Sequence, residues 1–140
     1  MAVFNVDVEA AAAALAMRAF AMRGTASLME TLGILVEGQT KRRFATKTSP
    51  DGAAWAALKP STIARRRKKS SSILTDTGRL MGSISHTSSA RQAIIGTNVF
   101  YGPFHQRGTS RMVARPFLGV GAKDMAEIKA AVEAWAGALT

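Results

Sequence analysis

Ser83-Ile84-Ser85-His86-Thr87-Ser88 and Ala93-Ile94-Ile95-Gly96-Thr97 are two short runs of alternating or β-branched character, joined by the polar stretch Ser89-Ala90-Arg91-Gln92. Branched side chains fit a pleated surface, and a polar turn between two such runs predicts a β-hairpin. Upstream, Val3-Phe4-Asn5-Val6-Asp7-Val8 also alternates and predicts a short strand. Alanine-rich Ala10 to Met22 predicts a helix by propensity. Leu28, Leu32, Leu35 and Val36 then recur at helical spacing with Phe44 two turns on, predicting an amphipathic helix from about Ser27 to Ala45. Gly33 and Gly38 weaken that helix unless they admit close packing.

Thr46 to Gly52 predicts a loop, because Pro50-Asp51-Gly52 combines a preset φ with a residue that accepts positive φ. Ser61 or Thr62 is placed to cap a short helix from Ile63 to Lys69, and Ser70-Ser71-Ser72 breaks it. A turn over Leu74 to Gly78 leads into the hairpin. Downstream, Val99 to Gln106 predicts a short helix or turn, and Gly108 to Val113 a polar loop. Ala114 to Val120 is predicted extended around Pro116, since residues before a proline avoid the α region. Ala122 to Leu139 is a final amphipathic helix with Met125, Ile128, Val132 and Trp135 near one face. The class is α+β: an N-terminal strand and helices, a small antiparallel sheet, and a C-terminal helix, forming one domain over residues 1–140.

The 140 residues suffice for an independent core, but only 6% are aromatic and alanine carries much of the apolar count. A thin core of this kind favours a subunit that gains stability from neighbours. With no cysteine, thiolate metal sites and thiol nucleophiles are excluded. Asp7 and Glu9 stand where a secretion signal needs positive charge, and no apolar run approaches the ~20 residues of a membrane span.

The net charge of +10 is concentrated: residues 41–79 alone carry eleven basic and two acidic groups. Lys41, Arg42, Arg43 and Lys47, with the run Arg65-Arg66-Arg67-Lys68-Lys69, therefore predict a surface facing an anionic partner, either nucleic acid or an acidic protein. No aromatic residue interleaves the run, and no helix-turn-helix or zinc-finger spacing is visible. His86, among serines, reads as a surface residue. His105 reads as making a structural hydrogen bond rather than as a base, since neither histidine has an evident nucleophile or carboxylate partner in sequence. No catalytic, cofactor-binding or metal-binding residue is assigned.

The punctuation of the middle of the chain is more specific. Pro50-Asp51-Gly52 with Trp55, then Leu58-Lys59-Pro60-Ser61-Thr62, forms the first phrase. The second is Leu74-Thr75-Asp76-Thr77-Gly78-Arg79-Leu80 followed by Ser83-Ile84. The third is Ile95-Gly96-Thr97 leading to Tyr101-Gly102-Pro103-Phe104-His105-Gln106-Arg107-Gly108, and the fourth is Ala114-Arg115-Pro116-Phe117-Leu118-Gly119. In this order, over about Thr40 to Val120, the phrases resemble the Mu-type virion morphogenesis and tail-completion family of tailed phages.

The resemblance implies a non-enzymatic ring subunit at the head–tail junction, in six or twelve copies, without a cofactor. It implies neighbouring connector and tail-terminator or tail-tube proteins, non-specific contact with genomic duplex DNA, and no membrane. The virion is then its location, and the host cytoplasm during assembly. Pro50, Gly52, Trp55, Gly78, Leu80, Tyr101, Phe104, His105, Gly108, Arg115, Pro116 and Phe117 become structural or interface residues. Trp55, Phe104 and Phe117 are expected to pin loops to the core, and the basic loops 46–54, 68–73 and 106–114 to be mobile until docked. A basic nucleic-acid-binding accessory protein, or a transient assembly factor, is the alternative.

Overall fold

A computed structural model describes the strand 2–6 and residues 25–66, 73–74 and 78–138. The elements are β1 (Ala2–Val6), α1 (Thr25–Thr46), α2 (Pro60–Arg65), α3 (Arg79–Ser83), β2 (Ser85–Ser88), β3 (Ala93–Thr97), α4 (Gly102–Arg107) and α5 (Ala122–Ala138). The architecture is α+β, as the hydrophobic patterning predicts. The expected helix from Ala10 to Met22 lies outside the described residues.

The hairpin gains a third strand. β3 lies at the centre of the sheet, antiparallel to β1 and β2, in the order β1-β3-β2. Ala2 faces Thr97 and Val6 faces Ala93 on one side, while Ser85 faces Gly96 and Ser88 faces Ala93 on the other. The central position explains why Ala93, Ile95 and Thr97 are all buried while β2 is largely exposed. The strand expected from Ser83 starts later. Ser83 Oγ donates to the Leu80 carbonyl and the Ile84 N–H to that of Met81, so these residues close the helical turn α3.

α1 packs against β2, β3 and α5. Its buried side, Leu28, Met29, Leu32, Val36 and Phe44, follows the expected i, i+4, i+8 stripe. Ile128 and Val132 of α5 close the core from the other helix, with Met125 and Trp135 partly buried beside them. Each large aliphatic side chain buried this way contributes roughly 1.5–3 kcal/mol. Gly33 does admit a close neighbour, but that neighbour is a strand residue. A Cβ at Gly33 would stand 2.5 Å from His86 Cδ2, whereas Gly38 faces open space.

The short basic helix is shifted from its expected place. Pro60 enters at the first turn, where its missing N–H costs nothing, and no side chain caps the start. Arg66 is already extended, at φ −73° and ψ 146°, so the helix ends at Arg65 rather than Lys69. Arg67, Lys68, Lys69 and the serine break lie outside the described residues.

Loop 46–54 is knitted by its own hydrogen bonds. Ser49 N donates to Ala53 O, Gly52 N to Ser49 O, Trp55 N to Lys47 O, and Asp51 Oδ1 accepts from Ala53 N. Loop 106–114 is closed more loosely, by the Thr109–Met112 pair of backbone bonds.

Candidate functional site

The four sequence phrases meet in space, the second joining through Arg79 over the Tyr101 ring and Ser83 Oγ beside Thr97 Oγ1. Trp55 Nε1–H donates to Pro116 O at 2.8 Å. Arg115 returns the contact, with Nε to Ala56 O at 2.7 Å and Nη2 to Ala57 O at 3.0 Å. Gln106 Oε1 accepts the amides of Phe117 and Leu118, and its Nε2 donates to Leu118 O. Arg115 N also donates to His105 O, so α4 and the extended stretch 113–119 are bound along their length. Phe44 lies edge-on to Trp55 at 5.6 Å and tilted against Phe117 at 5.8 Å, joining this loop cluster to α1. Pro50 sits against Gly119 and Gly121, where a Cβ on Gly121 would stand 1.8 Å from Pro50 O. These glycines are required for the close approach of the 50–52 turn.

Arg43 corrects an expectation. It does not face an outside partner: it is 5% exposed, with Nη1 donating to Phe117 O and Nη2 to Gly119 O. Nη2 also makes a short charge-assisted contact to Asp124 Oδ2, the same oxygen that accepts Gly121 N at the start of α5. A buried guanidinium must be paired, and this one uses its planar fork to join α1, α5 and the 117–121 stretch. Lys41 pairs with Glu37 along α1 and Arg42 with Glu127 of α5. Exposed Lys47, at φ 58°, turns the chain out of the helix.

The remaining named residues divide between core and surface. Leu80 is buried, and Gly78 takes the left-handed conformation that precedes α3. Gly108, at φ +74°, leaves no room for a Cβ beside Ala114 N and Met112 O. Tyr101 lies under the Arg79 guanidinium at 5.9 Å and edge-on to His105 at 5.7 Å. Phe104 is not a core anchor: the residue is 49% exposed, near Phe100 in sequence, which is 74% exposed.

His86 is likewise no free surface residue. Its Nε2 contacts Glu30 Oε1 at 2.8 Å and its Nδ1 contacts Glu37 Oε1 at 3.2 Å, so the ring bridges β2 to α1. The hydrogen bond to Glu30, reinforced by Glu37, raises its pKa against the opposing cost of burial. Ser88 Oγ donates to Glu30 rather than to the imidazole, so the group lacks the nucleophile–base bond of a hydrolase. His105 shows the opposite shift, lowered first by burial and then by the charges of Arg115 and Arg66. Its buried Nδ1 has no hydrogen-bond partner among the described residues, so the expected structural hydrogen bond is not seen at that atom.

Two clefts flank the loop cluster. One, of about 550 Å³, lies between the end of α1, the 48–52 turn and the start of α5, and its Arg42 and Arg43 are paired with Glu127 and Asp124. The other, of about 520 Å³, is lined by Lys59, Arg65, Arg66, Arg111, Arg115 and His105, with Leu58, Leu74, Met112 and Val113 as apolar wall. No carboxylate among the described residues lines this second cleft. It brings together Arg65 and Arg66 of the basic run with Arg115 of the fourth phrase and leaves Lys41 to Lys47 elsewhere.

Sequence reading missed Gln106, Asp124 and the inward turn of Arg43. The signal for Arg43 was present, since it falls seven residues after Val36 on the buried stripe. Asp124 carried a weaker one, three residues into the final helix, where a carboxylate can receive free N–H groups.

No solved structure matches the chain. A curated relative, the Mu-like prophage FluMu G protein 1 of Haemophilus influenzae, is 51% identical over 51 residues, or 36% of this chain and 35% of that protein. The match therefore spans about a third of the relative's length. The phage virion morphogenesis family matches from residue 5 to residue 136, nearly end to end, and the chain belongs to that family.

Proposed function

We propose that this chain is a non-enzymatic subunit of a closed ring at the head–tail junction, present in six or twelve copies. It completes the finished tail or receives it at the connector, and it leaves a passage for DNA. The observation that carries this reading is membership of the virion morphogenesis family over residues 5–136. The exposed aromatics Phe100, just before α4, and Phe104, within it, support a subunit contact beside the loop cluster. Exposed cations such as Lys47 and Arg65 support a surface that meets DNA or acidic ring neighbours.

Removing the gene from the phage tests the proposal. Filled heads and complete tails should accumulate unjoined, and adding the purified protein should restore infectious particles. Normal yields without the gene would sink it. A second reading, a basic nucleic-acid-binding accessory, is favoured by the concentration of charge in residues 41–79. It predicts salt-sensitive binding of bulk duplex DNA by the free monomer, lost when Arg65 to Lys69 are neutralised.

A further inference from the structure

We infer that the outer edge of β2 pairs with the outer edge of β1 in a second copy of the chain, so that copies join head to tail by extending one sheet. This deepens the reading of the chain as a ring subunit and rests on it for the head-to-tail sense. β3 is central, so β1 and β2 each have one edge without a strand partner among the described residues. The register shows which backbone groups that leaves on β2. Ser89 N–H donates to Gln92 O, and bonded pairs alternate along an antiparallel ladder. Thr87 and Ser85 therefore bond inward to Ile94 and Gly96, while the N–H and C=O groups of His86 and Ser88 point outward. The occupant that such an edge takes is an extended backbone.

The edge is open and held ready. Ser85, Thr87 and Ser88 are all exposed. β2 carries no proline, no bulge and no outward charge, the usual guards against strand addition. The side chains of its two outward-facing residues are tied to α1 instead, His86 between Glu30 and Glu37, and Ser88 Oγ on Glu30. That anchorage fixes the outward backbone groups before a partner arrives and lowers the ordering cost of binding. The second copy supplies a matching strand. By the same alternation Phe4 bonds inward to Ile95, which leaves the backbone of Val3 and Asn5 outward. Groups at that spacing can bracket one residue of a parallel neighbour. β1 and β2 both run antiparallel to β3 and so parallel to each other. Rotation about a ring axis lying along the strands keeps that direction, so β2 of one copy meets β1 of the next in parallel. Opposite edges of one sheet make a heterologous contact, the kind that closes into a ring, whereas two β2 edges meeting about a twofold axis would stop at a dimer.

The test is sedimentation of the whole chain over a range of concentrations, with hydrogen exchange over residues 84–89 read by mass spectrometry. Ser88→Pro removes an outward N–H and leaves the inward bonds of Thr87, a place where an edge strand tolerates proline. Ser88→Ala is its control, since it keeps the N–H and loses only the hydroxyl bond to Glu30. Circular dichroism checks both folds. The inference predicts that the wild type and Ser88→Ala associate beyond a dimer, and that Ser88→Pro associates at least about tenfold more weakly. It also predicts that exchange over 84–89 slows as the wild type associates, a readout that decides even if Ser88→Pro fails to fold. A wild type that stays monomeric would overturn the inference, as would equal association of Ser88→Pro and wild type. Association that protects 84–89 but stops at a dimer would overturn it in favour of twofold pairing of β2 edges. Rings that form with 84–89 unprotected would overturn the edge contact and leave the ring reading standing, which falls only if the junction holds no copy.

Discussion

Arg43 of α1 and Asp124 of α5 form a part-buried ion pair across the two long helices, and the same guanidinium holds the Phe117 and Gly119 carbonyls. One side chain thus connects both helices to the stretch that carries the Ala114–Gly119 phrase. Breaking such a pair from one side strands the other charge and the carbonyls together. Arg43→Met should therefore destabilise the fold by about 3–5 kcal/mol. Urea denaturation checks this, and Arg43→Met/Asp124→Asn should recover part of the loss. A loss under about 1 kcal/mol would mean the pair is idle, as exposed pairs commonly are.

Trp55 offers a finer separation. Trp55→Phe keeps an aromatic ring near Phe44 and Phe117 but removes the N–H that serves Pro116 O. Leaving that carbonyl unpaired should cost about 1–3 kcal/mol. Trp55→Ala should cost about 3–5 kcal/mol, because a cavity is added. Denaturation followed by circular dichroism should rank the two in that order; equal effects would show that packing of the ring adds nothing to the lost hydrogen bond.

The clasp of His86 by Glu30 and Glu37 predicts a pH dependence. His86 is raised above its ordinary value of 6.5, first by the hydrogen bond to Glu30. Its contribution is fully present below that value and lost as the pH rises through the higher folded-state value. Glu30 is lowered, first by Ser88 and then by His86, so its contribution fails only in acid. Melting temperature should fall between mildly acidic and alkaline pH, and His86→Gln should flatten that fall. An unchanged slope in the variant would remove His86 as its source.

Gly33 tests the same contact from the helix. The added methyl of Gly33→Ala would stand 2.5 Å from His86 Cδ2, so the ring must leave its carboxylates or the helix must shift. Alanine ordinarily stabilises a helix by about 1 kcal/mol over glycine. Here it should lower the melting temperature and flatten the pH dependence as His86→Gln does. A more stable variant with the wild-type slope would contradict the geometry.

The legible parts of the sequence were those with strong local signals. The 28-32-36-44 stripe, the β-branched Ala93–Thr97 run and the Pro-Asp-Gly turn each determine their element without help from afar. The third strand's partner was not legible, because antiparallel pairing of β1 with β3 joins segments some ninety residues apart. Ser83 read as strand because a single turn of helix has too few residues to show a period. At the candidate site, charge was legible but direction was not. Arg42 and Arg43 are adjacent in sequence, yet one is exposed and the other nearly sealed, and only the 3.6-residue turn separates them. His86 looked solvated because its serine neighbours conceal the carboxylates that reach it from α1.

The most direct test of the central claim is cryo-electron microscopy of the intact phage particle, built out at the head–tail junction. This chain should appear as a closed ring of six or twelve copies between connector and tail, with an open passage on its axis. Particles whose junction contains no copy of the chain, while the protein is present in infected cells, would contradict it and leave a transient assembly factor or a DNA-binding accessory.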